Sequence, residues 1–116
     1  MLPKNQRLRL SQDLTATVRS GVRSGRRNVV LYARTQDESR NGDRFGFIVS
    51  KAVGIAVERN LVKRRMRELA HQLRRDTGNL DIVMRALPGA AELSWDELRA
   101  QVTSAFNAVV RKSEDR

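Results

Sequence analysis

Arg59, Lys63 and Arg67 stand four residues apart, with Asn60, Arg64 and His71 beside them. On a helix this spacing lines cationic groups along one side. Residues 59–75 hold seven cations and one acid. Like charges at i, i+4 destabilise an isolated helix by about 0.2–0.5 kcal/mol per pair, so local stability does not select the row. A partner dense in negative charge would. Guanidinium groups grip phosphate with a planar fork, and several such contacts give affinity that falls steeply with salt. The plain alternative is a solvated face on an ordinary amphipathic helix. The density of cations and the charge of the whole chain favour nucleic acid.

Other groups carry less. Tyr32 shares a strand face with Val30 and Arg34 and could stack on an unpaired base, or be a half-buried strand residue. Phe47 has the spacing of a core residue, and Phe45 fits either role. Ser50, Lys51 and Gly54 precede a helix N-terminus. Free N–H groups there favour phosphate, although a plain turn with Gly54 at positive φ is the simpler reading. Protein-side catalysis looks poor. His71 is the sole histidine, and a solvated helix side chain is its simpler reading. Asp76 and Asp81 flank a Thr77-Gly78-Asn79 turn without metal-ligand spacing. Ser50 and Lys51 are adjacent, so on a strand they face opposite ways and form no dyad. Neither a phosphate-cradling glycine loop nor a His/Cys zinc pattern can be assembled.

Composition narrows the partner. The 116 residues suit a single domain, 1–116, with 1–10 and 112–116 expected to be flexible. Formal charge is +10, and it is uneven: residues 1–75 carry +12 and residues 76–116 carry −2. Nucleic acid is the first candidate and an anionic membrane surface the second. Of 23 cations, 19 are Arg, the better phosphate fork and base-stacking group. Cysteine is absent, which excludes disulfides and thiolate metal sites and fits a reducing compartment. No apolar run approaches the ~20 residues of a membrane span. The N-terminus lacks a secretory apolar region, so a cytoplasmic location is the expectation.

The elements that must position these groups follow from periodicity. A short helix starts at Ser11, carries Leu10, Leu14 and Val18 as its apolar row, and ends at Gly21. Residues 20–27 read as a flexible cationic loop, and a short strand there would escape detection. Residues 28–34 form a strand. The polar stretch 36–43, with Asn41-Gly42, signals a hairpin to a second strand at 45–49. The basic helix spans about 56–75, with Val62, Met66, Leu69 and Leu73 as its apolar stripe. A third strand covers 80–85. Ser94 and Glu97 make a capping box for a last helix, about 95–111. The order helix-strand-strand-helix-strand-helix gives an α+β sandwich with one sheet covered by helices.

One longer pattern is specific. Val49-Ser50-Lys51-x-Val53-Gly54-x-Ala56-Val57-x-Arg59-Asn60-x-x-Lys63-Arg64-x-x-Arg67-Glu68 resembles the signature of the protein subunit of bacterial ribonuclease P. Met1-Leu2-Pro3, Arg7-Leu8, Asp13, Gly21, Val30-Leu31-Tyr32, Asp81-Ile82-Val83 and Pro88-Gly89-Ala90 extend the likeness over about residues 1–110. The resemblance implies a central mixed sheet with a left-handed βαβ crossover. It implies that catalysis belongs to an RNA subunit and its Mg²⁺, with no cofactor or metal bound by the protein. Its partners would be that catalytic RNA and the single-stranded 5′ leader of precursor tRNA, with no membrane or protein partner evident. By position, Arg59, Asn60, Lys63, Arg64 and Arg67 would contact the RNA subunit. Leu14, Val18, Tyr32, Phe45, Ser50 and Lys51 would form the leader cleft.

Three positions depart from the family pattern. Leu14 and Val18 stand where Phe is common, and Phe45 is expected to restore part of the lost aromatic surface. Ala52 and Ile55 replace the usual Lys and Asn. Ala86-Leu87 replaces Ala-Arg, with Arg85 as a substitute charge. The rivals are a ribosomal or RNA-chaperone type binding protein and, more weakly, a protein nuclease acting alone.

Overall fold

The computed structural model describes residues 6–8, 11–36 and 42–115. The expectations placed on residues 1–5, Leu10 and Asn41 lie outside these. The elements are α1 (Ser11–Ser20), β1 (Val22–Gly25), β2 (Val29–Thr35), β3 (Arg44–Ile48), α2 (Ala56–Leu73), β4 (Leu80–Ala86) and α3 (Trp95–Glu114). They form one four-stranded sheet in the order β1-β2-β4-β3. β2 pairs antiparallel with β1 and β4, while β3 lies parallel to β4. The βαβ crossover is therefore β3–α2–β4.

Two expectations fail here for related reasons. Residues 22–25 are a strand, not a loop: β2 offers an open edge, and Val22 to Gly25 register against Ala33 to Val30. Arg26 then ties the turn to α3, its Nε donating to Ser104 Oγ at 3.1 Å. The hairpin between β2 and β3 does not form, because β4 separates them. Leu80 to Met84 are all buried, and a strand apolar on both faces belongs in the middle of a sheet. The turn signal in the sequence does not choose the strand's partner. At the C-terminus α3 continues to Glu114, beyond the helix end expected at 111. Lys112 Nζ donates to the Arg23 carbonyl at 2.6 Å, so the start of the segment expected to be flexible is helical.

Strand alternation divides the core in two. On one face Val29, Leu31, Phe45, Ile82 and Met84 pack under α2 and α3. Val62, Met66 and Leu69 of α2 are buried as the stripe requires, with Leu73 at its edge. From α3, Leu98, Val102, Ala105, Phe106 and Val109 complete the layer. The predicted capping box starts α3: Ser94 Oγ accepts from the Glu97 N–H at 3.1 Å, and Glu97 accepts from the Ser94 N–H at 2.9 Å.

On the other face Leu8, Val30, Tyr32 and Val83 meet Leu14 and Val18 of α1. Among the described residues α1 is the one helix on this face, so the sheet there is only partly covered.

Two buried carboxylates lock the edge strand. Asp43 accepts from Arg75 Nε at 2.8 Å and Nη2 at 3.0 Å, and from the Leu80 N–H at 3.1 Å. It thereby fixes the path from α2 into β4, and its hydrogen bond raises the already high pKa of Arg75. A Cβ on Gly78 would collide with this carboxylate. Asp81 takes both Arg44 Nε and Nη2 at 2.9 Å, with Arg34 Nη2 at 3.7 Å.

Candidate nucleic-acid interface

The approach to α2 is a single 3₁₀ turn at Lys51–Val53, followed by Gly54 at φ 156°. A Cβ on Gly54 would strike the Glu58 carboxylate. That carboxylate accepts from the Ile55 N–H at 2.9 Å, so a side chain of the helix already serves one of its first donors. This supports the plain turn over a phosphate cradle at the N-terminus. Ile55 and Val57 are 69% and 75% exposed.

Along α2 each four-residue step advances about 6 Å and rotates about 40°. The cationic row therefore winds outward from the edge of the apolar stripe. Arg59 and Lys63 are half-buried, while Asn60, Arg64, Arg67 and His71 are exposed. Among the described residues, none of Arg59, Lys63, Arg64 and Arg67 has a carboxylate within salt-bridge distance. Arg34, Arg44, Arg74 and Arg75 each do. Four arginines are thus held by carboxylates, while these four cations of α2 are not. Arg65, on the opposite flank of the helix, donates from Nη1 to the Leu93 carbonyl at 2.8 Å and joins α2 to the approach to α3.

The second site lies on the half-covered sheet face. Cross-strand register aligns Arg23, Tyr32, Val83 and Gly46 in one row, and Val30, Arg85 and Ile48 in the next. Gly46 admits Leu14 and Leu8 against the sheet; a Cβ there would lie 3.0 Å from Leu14 Cδ1 and 3.2 Å from Leu8 Cβ. Leu14 and Val18 pack against this row, and Tyr32 is buried beneath them at 9% exposed. Arg23 and Arg85 are exposed and occupy positions on the same face. Ser50 and Lys51, both exposed, follow the end of β3 that lies beside Arg85.

Phe45 does not belong to this face. It is 0% exposed and stacks on Phe106 at 6.2 Å between ring centroids, under α2 and α3. Strand alternation places it opposite Gly46, so the expected compensation for Leu14 and Val18 does not occur. This face of the sheet is aliphatic around a single tyrosine.

Two residues near these surfaces went unread in the sequence. Arg23 lies in a stretch that reads as a loop, where a residue has no face. Trp95 borders a cleft with Arg64, Arg65, Arg67 and Glu68. Its place beside α2 depends on helix packing between segments 27 residues or more apart, which no local pattern reports.

Comparison with known proteins agrees with the architecture. The Ribonuclease P family model matches residues 2–110. A ribonuclease P protein component from Pseudarthrobacter chlorophenolicus is 52% identical over 113 residues, covering 97% of this chain and 82% of that one. One from Kocuria rhizophila is 50% identical over 113 residues, covering 97% and 98%. Among solved structures, a mutant RNase P protein from Staphylococcus aureus superposes with a TM-score of 0.82 at 24% identity, over 90% of this chain and 88% of that one. The Thermotoga maritima RNase P protein gives 0.72 at 24% identity, over 90% and 96%. The matches decide against the ribosomal and chaperone rivals. The chain belongs to the ribonuclease P protein family, as the protein component of an endoribonuclease that works in 5′ processing of precursor tRNA.

Proposed function

We propose that the chain holds the catalytic RNA through α2 and the 5′ leader of precursor tRNA in the groove beneath α1. The observation that carries this reading is the unpaired set on α2: Arg59, Lys63, Arg64 and Arg67, with Asn60 among them. Four cations on about 12 Å of helix repel one another until phosphates lie between them. Arg59 and Lys63 serve the flank of the RNA contact, and Arg64 and Arg67 its centre. In the groove, Tyr32 offers a ring edge, Leu14 and Val18 offer apolar contact, and Lys51, Arg23 and Arg85 attract leader phosphates. Ser50 supplies a hydroxyl at the same rim.

Mg²⁺ belongs to the RNA in this reading. Both buried carboxylates, Asp43 and Asp81, are engaged by arginine and are poor candidates for a resident metal. The chain's contribution is electrostatic. Neutralising crowded phosphates lowers the Mg²⁺ that the RNA needs to fold, and holding the leader raises substrate affinity. Action beside RNA inside the cell makes a cytoplasmic location the natural one.

The test is cleavage of precursor tRNA by the catalytic RNA at low Mg²⁺, with and without the chain. Cleavage should appear on adding the chain, and Arg59→Ala/Lys63→Ala should lose the effect. Equal rescue by that variant refutes the role of α2. For the groove, Tyr32→Ala and Arg85→Ala should weaken binding of leader-bearing but not leaderless tRNA. Equal losses on both substrates refute it.

A further inference from the structure

We infer that Trp95 is a stacking platform for an unpaired base of the RNA partner, beside the phosphate-binding face of α2. This rests on the reading of α2 as the RNA contact and adds a base site that charge alone does not supply.

Trp95 is the first residue of α3 and is half-buried, its inner side against the main core. With Arg64, Arg65, Arg67 and Glu68 it lines a cleft of about 550 Å³. Both walls are fixed. Ser94 and Glu97 clamp the backbone around Trp95 through their reciprocal cap at 3.1 and 2.9 Å. Arg65 fastens α2 to the Leu93 carbonyl at 2.8 Å. An indole held by a rigid helix start loses little freedom when a base stacks on it. Arg64 and Arg67 are exposed and unpaired at the rim, placed for the phosphates on either side of such a base.

Glu68 argues for a base rather than a phosphate inside the cleft. Its carboxylate repels phosphate but accepts N–H donors; Gln72 Nε2 already gives it one at 3.2 Å. A nucleobase presents both the flat face that Trp95 takes and the N–H edge that Glu68 takes. Stacking on an aromatic side chain needs the base out of a duplex, so the occupant is a loop, bulge or single-stranded nucleotide.

Trp95 is the sole tryptophan of the chain, so its emission reports the site in the unmodified protein. The full chain is titrated with the catalytic RNA subunit of a bacterial ribonuclease P, with binding followed separately by filter retention. Emission should be quenched in step with binding. Trp95→Leu keeps an apolar side chain but loses the ring face and should weaken binding about fivefold to 150-fold. Trp95→Phe should lose less. The salt dependence of binding should be unchanged in Trp95→Leu, because no phosphate contact is removed. Unaltered emission at full binding overturns the inference while leaving the role of α2 intact, and so does a folded Trp95→Leu variant that binds like the parent. Failure of the parent chain to bind the RNA overturns the reading of α2 and this inference with it.

Discussion

Replacing Arg64 and Arg67 together by Ala should change how binding to the catalytic RNA depends on salt. Both side chains are exposed and have no ion-pair partner among the described residues, so their loss should alter stability by no more than about 0.5 kcal/mol. Each phosphate contact contributes about 0.7 to 0.9 to the slope of log K against log salt, the lower value for single strands. Removing two should flatten the slope by about 1.4 to 1.8. Between 50 and 200 mM salt the parent should therefore lose about seven- to twelvefold more affinity than the variant. Filter binding across that range, with melting curves as a fold check, measures both quantities. An unchanged slope with reduced affinity means that these arginines do not meet phosphate. An unchanged slope and affinity means that the RNA contacts another surface. As an internal reference, Arg99→Ala, exposed on α3 beside Asp96, should leave the slope as it is.

Three further outcomes follow from the packing. Phe45→Ala removes a fully buried ring stacked on Phe106 and should cost about 3–5 kcal/mol in chemical denaturation, while the folded fraction keeps its preference for leader-bearing tRNA; selective loss of that preference would restore Phe45 to the groove. Asp43→Asn leaves the Arg75 guanidinium with a weakened partner at the α2–β4 junction and should destabilise the fold by a few kcal/mol, up to about 3–5 if the charge stays buried; a melting temperature like the parent's would refute the clamp. Glu97 has its pKa lowered by the backbone and hydroxyl of Ser94. Its capping contribution is thus complete above the ordinary carboxylate value of about 4.3 and is lost as pH falls through the lowered folded value. Thermal melts from pH 7 downward should show that loss in the parent and a smaller one in Glu97→Gln; identical profiles would exclude it.

Much of the candidate site was legible because its signals are local. Helix periodicity alone separates Val62, Met66 and Leu69 from Asn60, Arg64 and Arg67 on one element. Charge spacing within that helix names the class of partner, and the order of polar residues around Asn60 narrows it to one family. Ser94 with Glu97 marks the start of α3 without reference to any other segment. The groove was legible only in part. Tyr32, Leu14 and Val18 meet there, but Phe45 does not, since strand alternation says which residues share a face and not which face a ligand reaches. Only the packing of Phe106 against Phe45 decides that. The strand at 22–25 has a single apolar residue in four, too little for periodicity to register, and its pairing energy comes from the edge of β2.

The sequence by itself determined the helices, the cationic face of α2, its apolar stripe and the family. Each rests on interactions within a few turns or on residue identity in a contiguous motif. Tertiary structure alone decided that β4 enters between β2 and β3, because burial on both faces outweighs the turn signal that the sequence carries at 36–43. It also decided which arginines are free. Asp43 and Asp81 reach Arg75, Arg44 and Arg34 across 32 to 47 residues of chain, and those pairings exist only once the sheet has formed. The same long-range packing carries Trp95 to the flank of α2, where a half-buried indole faces an arginine row that the sequence keeps almost thirty residues away.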